Sequence, residues 1–300
     1  MTAANRRTSG TDQANTGPRA LSRVIAALED LYDPAWAASW DAVGLVCGDP
    51  DQEVGKIMFA IDPVAAVVDE ALEWGADLLV THHPLLLRPV HGVAATTPKG
   101  RLIHRLIRHG VALYTAHTNA DVADPGVSDA LARAVGLPGP LRPLAPSEDD
   151  PCRGLGRIGV LAEPLPLGEF AARAAAGLPH TAWGVRVAGD PHRPVRTIAV
   201  CGGAGDSLLD TARKAGADVY LTADLRHHPA SESGEQDGPA LIDAAHWATE
   251  WPWLADAQRR LTEAVDLQTR VSTLVTDAWS LLVTPPEHTS GTSEGVEIIS

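Results

Sequence analysis

Asp77-Leu78-Leu79-Val80-Thr81-His82-His83-Pro84 is a short apolar run that ends in two adjacent histidines and a proline. Its length, with polar residues closing it abruptly, predicts a strand buried on both faces, over Asp77 to Thr81. The same order returns at Asp218, where Val219 to Thr222 is followed by His227-His228-Pro229. Trp74-Gly75-Ala76-Asp77 matches Ala215-Gly216-Ala217-Asp218, and each copy follows an apolar strand and a helix. We read this as an internal duplication of a βαβ unit. The fold class expected is therefore α/β: two similar lobes with mixed β-sheets flanked by helices, and a metal site in the cleft between the lobes.

The remaining elements follow from apolar periodicity and from glycine and proline stops. Leu21, Val24, Ile25, Leu28 and Leu31 mark one face of a helix over Ala20 to Leu31. Lys56 to Ile61 predicts a strand, with Asp62-Pro63 capping a helix that Gly75 ends. Gly100 to His109 and Asp124 to Val135 predict helices, and Val111 to Thr115 a strand. Further on, Gly156 to Ala162, Thr197 to Cys201, Ala240 to Ala244 and Val271 to Thr276 predict strands. Gly202 to Asp206 is a glycine-rich turn, either a plain tight turn or a cradle for an anion. Ser231 to Gly238 predicts a polar loop, and His246 to Val265 a helix in spite of Pro252. The domain plan is a tail over 1–19, a first lobe over 20–137, a linker over 138–155 and a second lobe over 156–283. Residues 240–283 of that second lobe are able to pack back on the first, and a second tail spans 284–300.

Composition narrows the function. The 300 residues carry a formal charge of −14 and no Lys/Arg-rich run, which excludes nucleic acid as the main partner. Cys47, Cys152 and Cys201 are far apart, with no CxxC, so neither a zinc knuckle nor a disulfide framework is indicated. Met1 to Pro18 lacks the apolar stretch of a secretory signal, and no apolar run reaches membrane-span length. The expectation is a soluble cytoplasmic protein without membrane contact.

The chemistry-bearing residues sit at the ends of predicted strands, where open α/β sheets hold ligands. His82 and His83 are adjacent on extended chain, so their side chains diverge and can serve two metals, or one metal and an orienting contact. His117 and Asp121 follow the Val111 to Thr115 run. Asp121 offers a hard oxygen, while His117 can ligate, orient or shuttle protons, and loop-shaping by Asn119 and Asp121 is the competing reading. His246 and Glu250 share one helical face at i, i+4, and a carboxylate can bridge two metals. The spacing is not His-Glu-x-x-His, and no Gly-x-Ser-x-Gly elbow is present, so metal-activated water is the chemistry expected.

Five blocks carry a resemblance: Trp40-Asp41-Ala42-Val43-Gly44-Leu45, Thr81-His82-His83-Pro84, Ala116-His117-Thr118-Asn119-Ala120-Asp121, Thr222-Ala223-Asp224-Leu225-Arg226-His227-His228 and Ala245-His246-Trp247-Ala248-Thr249-Glu250. In order and spacing, from about Leu21 to about Leu282, the chain resembles the Nif-three-like dinuclear metal-centre family, often labelled GTP cyclohydrolase 1 type 2 homologues. The resemblance implies two divalent metals per chain, which could be zinc, iron, manganese or cobalt. It assigns His83 and Asp121 to one metal, His82 and His246 to the other, and Glu250 to both. His117, Asp224, His227 and His228 would line the site, with His117, His227 or His228 as proton shuttle. It further implies a ring-shaped homohexamer. The expected activity is hydrolysis of a nucleotide or other phosphorylated metabolite by a hydroxide held between two metals; the alternative is a non-catalytic metal-binding scaffold. The chain departs from the family at Ala42, where asparagine is usual, and the stretch from Pro138 to Arg196 leaves no room for the inserted domain of longer members.

Overall fold

The computed structural model describes residues 17–283; most of the first expected tail, and all of the second, lie outside the described residues. Two mixed sheets organise them. The first has the strand order Gln268–Val271, Lys56–Ala60, Leu78–Thr81, Ala112–Thr115 and Gly44–Cys47. Its first four strands run parallel, and Gly44–Cys47 pairs antiparallel at the edge. The second has the order Arg142–Pro146, Gly154–Pro166, Pro194–Ala204, Val219–Ala223, Ala240–Ala244 and Val185–Ala188. Its parallel centre is the trio Pro194–Ala204, Val219–Ala223 and Ala240–Ala244. Arg19–Ala20 and Glu53–Val54 form a small separate ladder.

Alternation along these strands divides the core into layers. Ile57, Phe59, Leu78 and Val80 of the first sheet and Ile198, Val200, Val219 and Leu221 of the second enter one continuous core. Helices Leu21–Leu31, Val127–Ala134 and Pro252–Val265 bury their apolar faces in the same core. The intervening residues Met58, Leu79 and Leu113 face an outer cluster under helices Ala65–Trp74 and Pro98–Arg108. Ala199, Cys201 and Tyr220 do the same on the far side of the second sheet. The two sheets thus share one interior. Among the described residues no helix is long and apolar enough to cross a membrane.

The repeated Gly-Ala-Asp has an atomic basis. Gly75 and Gly216 both adopt φ +75°, the left-handed turn that ends a helix without a Cβ penalty. Asp77 Oδ2 then accepts the backbone N–H groups of Gly55 and Lys56 at 2.8 and 2.9 Å. Asp218 Oδ2 accepts those of Arg196 and Thr197 at 2.9 and 2.8 Å. Each aspartate ties the start of its own strand to the start of the preceding one. Counting on from these two anchors, His83 corresponds to Asp224, and the second histidine doublet falls beyond the strand end.

Several local expectations are corrected. Asp62-Pro63 does not cap the following helix, which begins at Ala65 after Val64. The stretch expected as a linker contains strand Arg142–Pro146, paired with Gly154–Pro166. The expected polar loop over Ser231 to Gly238 is largely helix His227–Glu235. The last strand is Gln268–Val271, earlier than expected, because its partner Lys56–Ala60 sets the register. Strand Pro194–Ala204 runs through the glycine-rich turn before the chain bends. Gly44–Cys47 and Val185–Ala188 are additional strands; each is a short edge strand whose alternation is too brief to read from sequence.

Arg157 joins the halves. Its guanidinium, 2% exposed, bonds Asp129 at 2.8–2.9 Å and the carbonyls of Gly154, Gly156 and Ala123. Asp129 also accepts the Gly126 N–H at 2.8 Å, at the start of helix Val127–Ala134. Removing one partner of such a pair strands the other charge in the interior. Arg157→Leu is expected to lower the unfolding free energy by about 3–5 kcal/mol in urea melts; a loss below about 1 kcal/mol would show that the pair is not a structural tie.

Candidate metal centre

The C-terminal ends of the parallel strands from both sheets converge on one carboxylate. Glu250, in helix His246–Glu250 after strand Ala240–Ala244, is 3% exposed. His83 Nε2 lies 3.0 Å from its Oε2. His246 Nε2 lies 3.0 Å and His82 Nε2 3.5 Å from its Oε1. Asp121 Oδ1 stands 3.6 Å from His82 Nε2. All five residues expected as metal ligands therefore form one cluster. Glu250 Oε1 faces both His82 and His246, and Oε2 faces His83; Asp121 stands beside His82, and Glu250 is the member that the others share.

Each imidazole is aimed by its other nitrogen. His82 Nδ1 contacts the Ala116 carbonyl at 2.9 Å, and His83 Nδ1 contacts Asp62 at 2.7 Å. His246 Nδ1 contacts Asp224 at 2.7 Å, and His117 Nδ1 contacts Asp41 at 2.9 Å. Metal-ligating histidines are characteristically oriented this way, with Nδ1–H donated outward and Nε2 turned to the ion. His82 is wholly buried, with its ring 5.2 Å from that of Trp253. His82, His83 and His117 form one group able to hold a metal ion, and His83, His246 and Glu250 another.

Asp41, Asp62 and Gly203 are the parts that sequence reasoning missed. Asp41 belongs to the Trp40-Asp41 block and also accepts the Thr118 N–H at 3.0 Å, so it holds the whole His117 turn. Asp62 follows an apolar strand as the other site residues do, which was its signal; it also bonds Thr276. Gly203 sits at φ +67°, and a Cβ there would come within 2.5 Å of Glu250 Oε1 and 3.2 Å of His246 Nε2. The glycine-rich strand end thus makes room for the cluster. His227 and His228 are not brought into it: both are exposed at the start of their helix, and His227 lines a different cavity with Arg186 and Asp243.

The electrostatics fit a cation. Burial alone would push Glu250 up, but His246, His83 and His82 hold it well below the usual carboxylate range. Burial opposes the charged form of His83, yet Glu250 and Asp62 outweigh it and lift the ring to about 10. Glu250 is the largest influence on His246 and, against burial and with Asp224, lifts it to about 11. Burial raises Asp121 in spite of His82. His82 Nε2 and Glu250 Oε2 are buried without a hydrogen-bond partner. Buried donors and acceptors are rarely left so, and a divalent cation accepting both would satisfy them. Nitrogen and oxygen donors without cysteine suit zinc, iron, manganese or cobalt.

At pH 7 the raised rings of His83 and His246 carry protons, and a metal needs their Nε2 lone pairs. Zinc binding to metal-free protein should therefore release protons, and the apparent affinity should rise between pH 7 and about 10. Calorimetric titration in buffers of different ionisation enthalpy reads both; zinc uptake without proton release would remove these two rings from the ligand set. Gly203→Ala should lower zinc content while leaving the sheet intact by circular dichroism.

Comparison with known proteins gives the family. The Duf34/NIF3 (NGG1p interacting factor 3) family profile matches residues 19–279. A Streptomyces coelicolor protein named GTP cyclohydrolase 1 type 2 homolog is 58% identical over 267 residues, covering 87% of this chain and 93% of its own. A Mycobacterium tuberculosis protein of the same name is 40% identical, covering 87% of this chain and 97% of its own. That alignment extends over 368 positions, more than the 300 residues of this chain, so the mycobacterial chain carries inserted residues that this one lacks. A solved Bacillus cereus protein related to NIF3 superposes with a TM-score of 0.81 at 25% identity, covering 87% of this chain and 99% of its own. With the family profile spanning most of its length and a relative more than half identical to it, the chain belongs to the Duf34/NIF3 family.

Proposed function

We propose that the cluster is a dinuclear divalent-metal centre, and that the protein is a metal-dependent hydrolase of a nucleotide or other phosphorylated metabolite. The observation that carries this is the set of outward-anchored imidazoles facing a buried carboxylate, with an imidazole nitrogen 3.0 Å from each of its oxygens. Two divalent ions there would lower the pKa of water towards neutrality and polarise a phosphoryl oxygen. His82, His83, Asp121, His246 and Glu250 would hold them, with Glu250 common to both.

The chain's own residues supply the rest. The cluster opens on a cavity of about 510 Å³ lined by Asp62, His83, His117, Asp224 and His246. An open side suits substrate access, whereas a purely structural site is closed by its ligands. His117 is braced by Asp41, and its ring lies 5.2 Å from that of His82. We assign it the proton-moving role. His227 and His228 are left out of the mechanism because of their exposed position. A net charge of −14 disfavours an anionic substrate, and the ions would offset it locally. By family resemblance we further propose a homohexamer in the cytoplasm, with the exposed Leu274, Leu281, Leu282 and Val283 providing apolar surface for self-association.

Metal analysis on protein loaded separately with zinc, manganese, iron or cobalt should find about two ions per chain. Glu250→Ala should lose most of both. One ion, or none, in every reconstitution would end the dinuclear reading. His117→Asn should keep the metals and lower phosphate-ester hydrolysis at least tenfold, as loss of a general acid or base commonly does; loss of metal instead would make His117 a ligand. Light scattering of the full chain should give six protomers, and a monomer would remove the ring.

A further inference from the structure

A second group of unpartnered atoms lies beside the cluster. Among the described residues, six buried side-chain nitrogen or oxygen atoms lack a hydrogen-bond partner. Two are His82 Nε2 and Glu250 Oε2. Two more, Trp183 Nε1 and Asp277 Oδ2, belong to residues lining the 510 Å³ cavity onto which His83, His117 and His246 open. One is a donor that cannot accept, the other an acceptor. Leaving either bare in a folded protein is unfavourable, so together they suit a ligand that bears both an acceptor and an N–H donor.

The same wall is aromatic. Trp183 and Trp279 stack, with ring centroids 6.1 Å apart and planes inclined by 22°. The Arg186 guanidinium lies 4.8 Å over the Trp183 ring and is itself held by Asp243. Trp183 is therefore backed on both sides, whereas Trp279 is 61% exposed and has ring surface to offer. Aliphatic sugar phosphates would use the polar atoms and leave the indole face idle. An apolar ring would use the face and leave the polar atoms bare.

We propose that this wall is a recognition subsite for a planar heterocycle of the nucleobase type. The ring stacks on Trp279, its N–H donates to Asp277, and its carbonyl or ring nitrogen accepts from Trp183. The rest of the ligand extends towards the histidine cluster. The inference rests on the metal-centred function proposed above and narrows its substrates from phosphorylated metabolites in general to nucleotides.

The test compares ribose 5-phosphate with the four common ribonucleoside 5′-monophosphates on zinc-loaded full-length protein, by equilibrium titration. Base stacking on an exposed aromatic ring is commonly worth roughly tenfold to a hundredfold in affinity. At least one nucleotide should bind about tenfold or more tightly than ribose 5-phosphate. Trp279→Leu and Asp277→Asn should each erase most of that advantage while zinc content, melting temperature and ribose 5-phosphate affinity stay unchanged. Four nucleotides no tighter than ribose 5-phosphate, or an advantage that survives both substitutions, would overturn the subsite; zinc content would still stand as separate support for the metal centre. A parent protein that takes up no zinc would overturn both, since the cluster anchors the subsite.

Discussion

A carboxylate buried where two sheets meet is the constraint around which the rest is arranged. An isolated charge in such a place is strongly unfavourable, and Glu250 is 3% exposed. Its charge is answered by imidazoles from both halves of the chain. Those rings are in turn held by Asp62, Asp224 and the Ala116 carbonyl, from three further strand ends. The site is therefore a network in which no single helix or loop sets the geometry. It requires that the two sheets share one rigid interior, and the continuous core through both supplies this.

The duplicated frame and the chemistry obey different rules. The frame is symmetric: the aspartates of the two Gly-Ala-Asp turns make matching backbone contacts, all at 2.8–2.9 Å. The chemistry is not. Where the first half places His83, the second places Asp224, which aims His246. Where the first half places Asp62, the second places Gly203, whose missing side chain admits Glu250. Within the duplicated units, the first thus presents His83 and its aspartate, while the second makes space for Glu250 and supports the His246 that follows it, so the two copies complement each other rather than repeating.

The cavity side of the cluster is built by chain segments remote from both copies. After strand Gln268–Val271 joins the first sheet, the chain carries Thr276 to Asp62 and brings Asp277 and Trp279 over the cavity. Trp183 arrives from the turn before the edge strand Val185–Ala188. Loop segments of this kind shape the cavity over the histidine–carboxylate cluster without altering the sheets beneath it.

The residues themselves declared the α/β class, most strand positions, the helix stops at Gly75 and Gly216, and the five cluster residues, because each signal is local. A buried parallel strand must be apolar along its length, and a left-handed helix end favours glycine. Histidine and carboxylate side chains that recur where apolar strands end stand at the sheet edge that open α/β folds use for ligands. What lies between distant segments was not legible. The second histidine doublet looked equivalent to the first because both follow Gly-Ala-Asp and a strand, but the second strand is longer and its end is occupied by Asp224. Asp62 looked like a helix cap until the ring of His83 was beside it. The edge strands and the position of the last strand were set by their partners in the ladder. Only the tertiary structure decided these points, because pairing, register and the sharing of a buried charge are properties of groups that the chain keeps far apart until it folds.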